Sequence, residues 1–322
     1  MRQKDTKDGC TIFNTLAIIT SKPAQFWLDN QSRFLMETTE TEWPTPNNSE
    51  IEIYSNLVDM VTNEKDVDHE KSCLHSVIVV LLLRALRETS YCQDTSGPLS
   101  KDEIVIGKLM YKMRLITDMN AHPVWGVDLN PRDKNNIGTE QIGQGLYTAI
   151  ASYFNSDCNP NTVRVNIGKK MLLIASKNIR KGEEISDNYC IHFSDMNATE
   201  RREWIAENFL FDCCCEACQE DWPTYSNISS ARPSEKARSE MYKMSINWNL
   251  SVQVSDKLVE LEMDNMTAME KGDIEKALEC HSKEISLIQA NLSEPHQLGV
   301  TVRTSFTSCW WRKVIACLKN EE

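Results

Sequence analysis

Four of the chain's twelve cysteines fall within six residues. They are Cys213, Cys214, Cys215 and Cys218, in the stretch FDCCCEACQED. The chain opens on the polar stretch MRQKDTKDGC, which lacks the features of a secretory signal, so we expect an intracellular protein of the cytoplasm or nucleus. In a reducing compartment, closely spaced cysteines bind metal more often than they form disulfides. The cluster therefore predicts a metal site.

The spacing C-x-C-x2-C within this cluster suits a structural zinc ion. Such an ion takes four tetrahedral ligands, with thiolate–metal distances of ~2.3 Å, and Cys213, Cys215 and Cys218 can supply three of them. Neighbouring residues of an extended segment point to opposite sides, so Cys214 should face away. The fourth ligand must come from elsewhere, and Cys158 is the candidate. The alternative is a cluster of reduced thiols that binds no metal.

The charge of the chain argues against a nucleic-acid partner. Its 322 residues include 35 Lys and Arg and 47 Asp and Glu, a net charge of −12. Proteins that follow a phosphate backbone usually carry clustered basic residues. The most apolar run, SVIVVLLLRALR, meets an arginine after about eight residues, which is short of the ~20 that span a bilayer. We therefore expect a protein partner or substrate, no direct nucleic-acid binding and no membrane insertion.

The first third of the chain has the pattern of helices. Residues 11–37 predict a helix interrupted near Pro23, and the stretch TETEWPTPNNSE predicts a loop. After a helix in IEIYSNLVDMVTNEK, the stretch HEKSCLHSVIVVLLLRALRETS is apolar nearly all round and should form a buried helix. Ser100 is the expected N-cap of the next helix, which has acidic residues in its first turn.

The pattern changes between Gly143 and Tyr189, where Gly168 and Gly182 split short β-rich runs, predicting a hairpin and a further turn. The stretch ATERREWIAENF predicts a short helix that leads into the cysteines, and DWPTYSNISSARPSE predicts a linker.

The rest of the chain is helical in pattern, and AMEKGDIEKALECHSKEISLIQ has the spacing of one tetratricopeptide-type repeat. Because three or more copies normally make a stable array, a helical tail packed on the main domain is an equal alternative. The fold class is α+β.

Three stretches, in this order, resemble the SET domain of the SET-and-MYND (SMYD) lysine methyltransferases. They are GLYTAIASYFNSDCNPNT, NIRKGEEISDNY and FDCCCEACQ. The family patterns at these places are N-H-S-C-x-P-N, G-E-E-(I/V)-x-x-x-Y and F-x-C-x-C-x2-C, and three ordered motifs are more specific than one. The stretch MNAHPV is similar to an Asn-containing strand that the family places before them. The likeness covers roughly residues 11–220, and within the family the stretches resemble the fourth member and its insect relatives.

The resemblance implies a knot-like SET β core with an inserted helical segment, a post-SET zinc site and an α-helical C-terminal region. It divides the chain into an N-terminal helical region that includes the SET insertion, the SET β core, the post-SET zinc segment and a helical, tetratricopeptide-like region. The expected bounds of these four are residues 1–117, 118–194, 195–222 and 233–322.

The resemblance also implies a cofactor and a set of site residues. The cofactor is S-adenosylmethionine, and the substrate is a lysine amine of a protein, histone or non-histone. Tyr189 matches the family's catalytic tyrosine, which lies beside the transferring methyl group. Asn155, Asn120 and Phe211 match residues of the cofactor pocket, Phe211 by packing on the adenine ring. Cys158 matches the cysteine that meets the post-SET cysteines, which supports it as the fourth zinc ligand.

The chain departs from the family pattern at two places. Ser156 stands where the family has a histidine against the cofactor, and Asp157 stands where it has a serine. No MYND zinc finger and no Gly-containing first strand pair are recognisable before Gly143, so we expect an N-terminally truncated member. Two functions follow from this: a protein-lysine methyltransferase, or an inactive SET-family protein that serves as an interaction scaffold. A third interpretation makes the C-terminal helices a peptide-binding module.

Overall fold

The structure is a computed structural model, and the residues that it describes form two compact units. The described residues are 2–36, 49–91, 97–127, 139–147, 150–167, 170–189, 191–228, 232–233 and 252–321. Unit 1 comprises Met1–Val124, Gln141–Tyr153 and Asn208–Leu210, and unit 2 comprises Trp125–Glu140, Phe154–Glu207 and Phe211–Glu322.

Unit 1 is mainly helical, with helix α6 at its centre. Its helices are α1 (Arg2–Thr20), α2 (Ala24–Asp29), α3 (Gln31–Phe34), α4 (Glu50–Val58), α5 (His69–Arg87) and α6 (Lys101–Asn120). Helices α1, α2, α4 and α5 all pack on α6. Met110 and Met113 of α6 join Trp27 and Phe34 in one apolar core. The helix break predicted near Pro23 is confirmed, because α1 ends before it and α2 begins after it.

Helix α6 begins at the residue that the sequence predicts. The Ser100 hydroxyl accepts a hydrogen bond from the Glu103 backbone N–H at 3.2 Å, and the Glu103 carboxylate accepts one from the Ser100 N–H at 2.7 Å. This reciprocal pair is a capping box, which satisfies backbone donors at the helix start. Arg87 donates two further hydrogen bonds to the same carboxylate. The end of α5 is thereby joined to the start of α6.

Helix α5 is not buried all round, and that prediction was wrong. Val79 and Leu83 are buried against α6, where a Cβ added to Gly107 would lie 2.9 Å from Leu83 Cδ1. Leu74 and Leu81, by contrast, are 53% and 56% exposed. Residues three or four apart share one face of a helix, and the buried residues of α5 lie on one such face: His75, Val79, Leu83 and Leu86. Apolar composition alone does not say how many faces of a helix are covered.

Strands β1 (Ala121–Val127) and β2 (Thr139–Leu146) form a two-stranded sheet. The structure places Asn120 at the last position of α6 and begins the strand one residue later. The stretch MNAHPV, which resembles the family's Asn-containing strand, thus comprises the last two residues of α6 and the first four of β1. The physical reason is local: the Ala121 N–H donates to the Thr117 carbonyl, and the Asn120 side chain donates to the Ile116 carbonyl at 2.8 Å. Both bonds extend the helical pattern to Asn120.

Unit 2 contains the β-rich segment. Its strands there are β3 (Asn155–Ser156), β4 (Thr162–Ile167), β5 (Lys170–Ala175) and β6 (Ser186–Asp187). Strands β4 and β5 are antiparallel, with Thr162 opposite Ala175, so the predicted hairpin is confirmed. Strands β3 and β6 are parallel, with Asn155 opposite Ser186. The turn predicted at Gly182 is confirmed by its positive φ of 88°, which favours glycine.

The remaining elements of unit 2 are mostly helices. They are α7 (Ala198–Phe209), which ends within unit 1, then α8 (Glu216–Gln219), β7 (Arg232–Pro233), α9 (Val252–Glu270), α10 (Ile274–Asn291), β8 (Leu292–Ser293) and α11 (Gln297–Glu321). Helices α9, α10 and α11 pack in sequence, and α11 also packs on β4. The short helix before the cysteines and the helical C-terminal region are thus confirmed as elements. Their assignment as a tetratricopeptide-like region stays a prediction.

The described residues form a mixed, largely helical α/β fold, as the sequence predicts. No helix in the described part of the chain is long and apolar enough to cross a membrane. Most of the predicted loop 39–50, part of the predicted linker 221–235, and Gly168 of the predicted hairpin turn lie outside the described residues. The four expected domain bounds stay predictions.

Candidate functional site

A buried asparagine joins the first two sequence motifs within unit 2. The Asn161 side chain accepts a hydrogen bond from the Ser186 N–H at 2.9 Å and donates one to the Glu184 carbonyl at 2.8 Å. Its backbone N–H donates to the Ser186 hydroxyl at 3.3 Å. In the sequence, this residue is recognisable only as the last asparagine of the family pattern N-H-S-C-x-P-N. Only its position in the first motif could have indicated that it joins the two motifs, because its hydrogen-bond partners lie more than twenty residues further along the chain.

Tyr189 lies beside the same strand pair. Its hydroxyl donates a hydrogen bond to the Phe154 carbonyl at 2.9 Å, and its backbone N–H donates to the Ser156 hydroxyl at 3.4 Å. Its ring stands edge-on to the ring of Phe211, with 6.5 Å between the ring centroids. Burial raises the pKa of Tyr189, so the phenol stays protonated at neutral pH. Tyr189, Ser156 and Phe211 are thus brought together.

The other motif residues of unit 2 flank this group. Asn155 is exposed on β3, and its side chain donates a hydrogen bond to the Glu184 carboxylate at 2.6 Å. The Asp157 carboxylate accepts a hydrogen bond from the Asn159 N–H at 2.7 Å. Burial raises the pKa of Asp157, and the neighbouring Cys215 raises it further. The carboxylate that replaces the family's serine therefore lies next to the cysteine cluster.

Asn120 belongs to unit 1, unlike the other predicted site residues. Its side-chain amide donates hydrogen bonds to the Val61 carbonyl at 2.7 Å and to the Ile116 carbonyl at 2.8 Å. These bonds fix the end of α6. A contact of Asn120 with a cofactor stays a prediction.

The structure brings together the four cysteines that the sequence nominates as zinc ligands. The sulfur atoms of Cys158, Cys213, Cys215 and Cys218 all lie within 4.8 Å of one another. Three of the residues are buried and Cys215 is partly buried, whereas Cys214 is exposed. The alternation expected for an extended segment is therefore present. Cys158 reaches the cluster from the first motif, more than fifty residues earlier in the chain.

The spacing of the sulfurs fits a tetrahedral zinc site. Four thiolates at ~2.3 Å from a central ion would stand ~3.8 Å apart. The Cys158 sulfur lies 3.9 Å from that of Cys213 and 3.6 Å from that of Cys218. Both distances are far longer than the ~2.05 Å of a disulfide bond. The donor set and its dimensions suit zinc.

The thiols of the cluster also influence one another's ionisation. The hydrogen bond from Cys158 lowers the pKa of Cys215 well below its usual range, while the hydrogen bond with Cys213 raises the pKa of Cys158. Neighbouring thiols therefore cannot all ionise on their own, because adjacent negative charges repel each other in a buried setting. A divalent cation would replace the shared protons and allow four thiolates.

A buried arginine holds the backbone around the cysteines. Arg201 of α7 is fully buried and donates hydrogen bonds to the Phe193 carbonyl at 3.2 Å, the Met196 carbonyl at 2.5 Å and the Ala217 carbonyl at 2.8 Å. The Phe193 N–H in turn donates to the Cys158 carbonyl at 2.8 Å. The sequence analysis missed Arg201, since an arginine in a charged helix usually faces solvent.

Comparison with known proteins identifies the class. The chain matches the SET domain family over residues 4–190, which is more than half of its length. It is 39% identical over 74 residues to potential protein lysine methyltransferase SET6 of Saccharomyces cerevisiae, covering 22% of this chain and 19% of that protein. It is 32% identical over 125 residues to protein-lysine N-methyltransferase SMYD4 of Homo sapiens, covering 38% of this chain and 15% of that protein. It is 36% identical over 84 residues to histone-lysine N-methyltransferase SMYD3 of Homo sapiens, covering 26% of this chain and 19% of that protein.

The chain belongs to the SET-domain family. Within that family it is similar to the SET-and-MYND methyltransferases, as the three motifs predict. The matched segments span less than a fifth of the length of each of these three relatives.

Proposed function

We propose that the chain is a protein-lysine methyltransferase that uses S-adenosylmethionine and acts on a lysine side chain of a protein substrate. The observation that carries the proposal is the position of Tyr189, whose hydroxyl and ring lie among Ser156, Phe154 and Phe211 within unit 2. Membership of the SET-domain family and the names of the relatives support the same activity.

The residues around Tyr189 suit the needs of an amine substrate. A lysine has an unperturbed pKa near ~10.4 and must lose its proton before its nitrogen can attack. The Tyr189 hydroxyl proton is directed to the Phe154 carbonyl, so an approaching amine N–H would meet the phenol oxygen as an acceptor. That hydrogen bond would orient the nitrogen lone pair. Holding reacting atoms close and aligned is a large part of such catalysis.

The cofactor would be held by polar contacts with Asn155 and Ser156 and by the aromatic ring of Phe211. When bound, S-adenosylmethionine supplies the methyl group as an activated sulfonium. Asn155 is exposed on β3, and Ser156 and Phe211 both contact Tyr189. These residues therefore offer polar groups and an aromatic ring beside the tyrosine. Asn120 is proposed as a further cofactor contact on the resemblance alone.

The proposal includes one zinc ion bound by Cys158, Cys213, Cys215 and Cys218 as a post-SET site. Phe211 lies two residues before Cys213, and Asp157 lies directly before Cys158. A metal at the cysteines would therefore fix both the first motif and the segment that carries Phe211. Structural zinc contributes directly to folding free energy.

The variant Tyr189→Phe tests the proposed activity. The purified chain, loaded with zinc, is incubated with methyl-labelled S-adenosylmethionine and mixed histone and non-histone proteins, and labelled lysine is counted. We expect transfer by the natural chain and a loss of about 100-fold or more in the variant, because the hydroxyl that orients the amine is gone. The control is Tyr225→Phe, which removes an exposed hydroxyl that pairs with Thr301. Equal transfer by both variants would contradict the role of Tyr189.

A second candidate is an inactive SET-family protein that acts as an interaction scaffold. The substitution of the family's histidine by Ser156 favours it, since a serine offers fewer contacts to a cofactor. Methyl transfer by the natural chain that Tyr189→Phe abolishes would exclude this candidate.

A further inference from the structure

Arg164 of β4 and Asp187 of β6 form a largely buried ion pair within unit 2. The Arg164 Nε lies 3.1 Å from the Asp187 carboxylate, and the two side chains are 15% and 5% exposed. A buried ion pair adds little net stability, because both charges lose their hydration and well-packed apolar residues often serve as well. The position of these two charges therefore indicates a role other than holding the core together.

The same guanidinium also binds the backbone just before Tyr189. Its Nη2 donates a hydrogen bond to the Asn188 carbonyl at 2.5 Å. Arg164 thus contacts the side chain of Asp187 and the carbonyl of Asn188, the two residues that directly precede Tyr189. An arginine can make both contacts because its N–H donors form a rigid planar fork. The course of the chain into Tyr189 is therefore fixed by a side chain of β4.

Asp157 of the first motif binds the same segment through its backbone. Its N–H donates to the Asp187 carbonyl at 2.8 Å, and its carbonyl accepts a hydrogen bond from the Asn188 side-chain amide at 2.9 Å. That amide also donates to the Ile191 carbonyl at 2.7 Å. The residues on both sides of Tyr189 are thus attached to the first motif as well as to β4, so a change in this segment reaches the phenol.

Both charges of the ion pair act on Tyr189. Burial raises the pKa of Tyr189 most, the Asp187 carboxylate raises it further, and the Arg164 guanidinium lowers it. Burial also raises the pKa of Asp187, while Arg164 lowers it. The two charges therefore offset each other at the phenol, and removing one of them would leave the other to act alone.

We propose that Arg164 and Asp187 are a positioning pair, which holds Tyr189 in the orientation that methyl transfer requires. The inference rests on the proposed function, because it assigns the pair to the same reaction. Both residues act through Tyr189 rather than on the reacting atoms. The family pattern G-E-E-(I/V)-x-x-x-Y leaves position 187 open, and position 164 lies outside the three motifs. Alignment of reacting groups is a large part of such catalysis, so the pair should affect the rate.

The test combines steady-state methyl transfer by the zinc-loaded chain with fluorine NMR of the same chain labelled with 3-fluorotyrosine. The Tyr189 resonance is the one that Tyr189→Phe removes, and its shift with pH reports the phenol pKa. Asp187→Asn and Arg164→Gln should each lower kcat about tenfold and change KM by no more than about twofold. Asp187→Asn should lower the phenol pKa, whereas Arg164→Gln should raise it.

A second arginine variant covers the case in which Arg164→Gln does not fold, since that variant leaves a buried carboxylate without its cation. Arg164→Lys keeps the charge but not the planar fork, so it should lower kcat and leave the phenol pKa at its natural value. A merely structural role would loosen the segment and expose the phenol, which would lower the phenol pKa in every one of these variants.

The control is Arg87→Gln, which breaks an ion pair of similar burial in unit 1. Arg87 and Glu103 are 16% and 8% exposed, and the variant should change neither kcat nor the phenol pKa of Tyr189.

Opposite shifts of the phenol pKa in Asp187→Asn and Arg164→Gln, together with a lower kcat, would support the positioning pair. A natural kcat in folded Asp187→Asn and Arg164→Lys would overturn it, as would a phenol pKa that falls in all of the variants. If the natural chain transfers no methyl group, the proposed function fails and the fluorine titration alone decides. Opposite shifts would then support the action of the pair on Tyr189, and an unchanged titration would overturn it.

Discussion

At the scale of single residues, three consecutive cysteines have different surroundings. Cys213 is buried and Cys215 partly buried in the cluster with Cys158 and Cys218, whereas Cys214 between them is exposed. The sequence predicts this alternation because successive side chains of an extended segment point to opposite sides. It does not predict the role of Asn161, because the hydrogen-bond partners of that side chain are defined only in the folded chain.

The cysteines allow a matched pair of substitutions. We expect about one zinc per chain in the natural protein and in Cys214→Ser, because the exposed thiol is no ligand. Cys213→Ser should lose most of the metal, since a serine hydroxyl is not the soft, readily ionised donor that zinc takes from cysteine. Elemental analysis of the purified proteins measures this directly. Equal zinc content in the two variants, or none in the folded natural chain, would contradict the four-cysteine site.

At the scale of elements, the C-terminal helices are joined by a buried polar group. His281 and Glu284 of α10 are both 2% exposed, and the His281 Nδ1 lies 2.8 Å from the Glu284 carboxylate. Burial alone would lower the pKa of His281, but hydrogen bonds with Cys309 of α11 and with Glu284 outweigh it and raise the pKa to about 9. Helical periodicity predicts α10 but not this pair, because a histidine within an amphipathic helix has no fixed partner in sequence.

The pair predicts a pH-dependent free energy of unfolding. The folded pKa of His281 is raised above its ordinary value near ~6.5. Its contribution to the free energy of unfolding is therefore fully present below about pH 6.5 and is lost as the pH rises through about 9.

Denaturant titrations from pH 6 to 10 should show the natural chain losing this advantage over His281→Gln. The difference between the two curves isolates the effect from Lys177, whose pKa is lowered by burial to about 8 and which acts in the opposite sense. A difference between the two curves that is constant with pH would contradict the assignment.

Helix α5 shows how far an apolar run can mislead. Leu83 is buried against Gly107 of α6, and Leu81, two residues earlier, is exposed. Leu83→Ala should lower the free energy of unfolding by about 2–5 kcal/mol, because it removes buried contacts and leaves a cavity. Leu81→Ala should change it by no more than about 0.5 kcal/mol. Urea denaturation of the two variants provides the comparison, and similar losses would show that both faces of α5 are covered.

At the scale of the whole molecule, the motif segments around residues 154–162, 184–189 and 211–218 meet within unit 2, as the resemblance to SET domains implies. The order and spacing of the motifs were sufficient for this prediction. The pairing of β3 with β6 was not predictable from local pattern, because each strand has two residues and they are thirty residues apart. The end of α6 is likewise not visible in the local pattern, because hydrogen bonds made by the Asn120 side chain help to fix it.

The central claim is that this SET-domain chain uses S-adenosylmethionine at the group around Tyr189. The most direct test is calorimetric titration of the cofactor into the purified, zinc-loaded chain, alongside Phe211→Ala. We predict saturable binding in the micromolar range or tighter and clearly weaker binding by the variant, since the ring beside Tyr189 is lost. No binding by a chain that circular dichroism shows to be folded would contradict the claim and favour the scaffold.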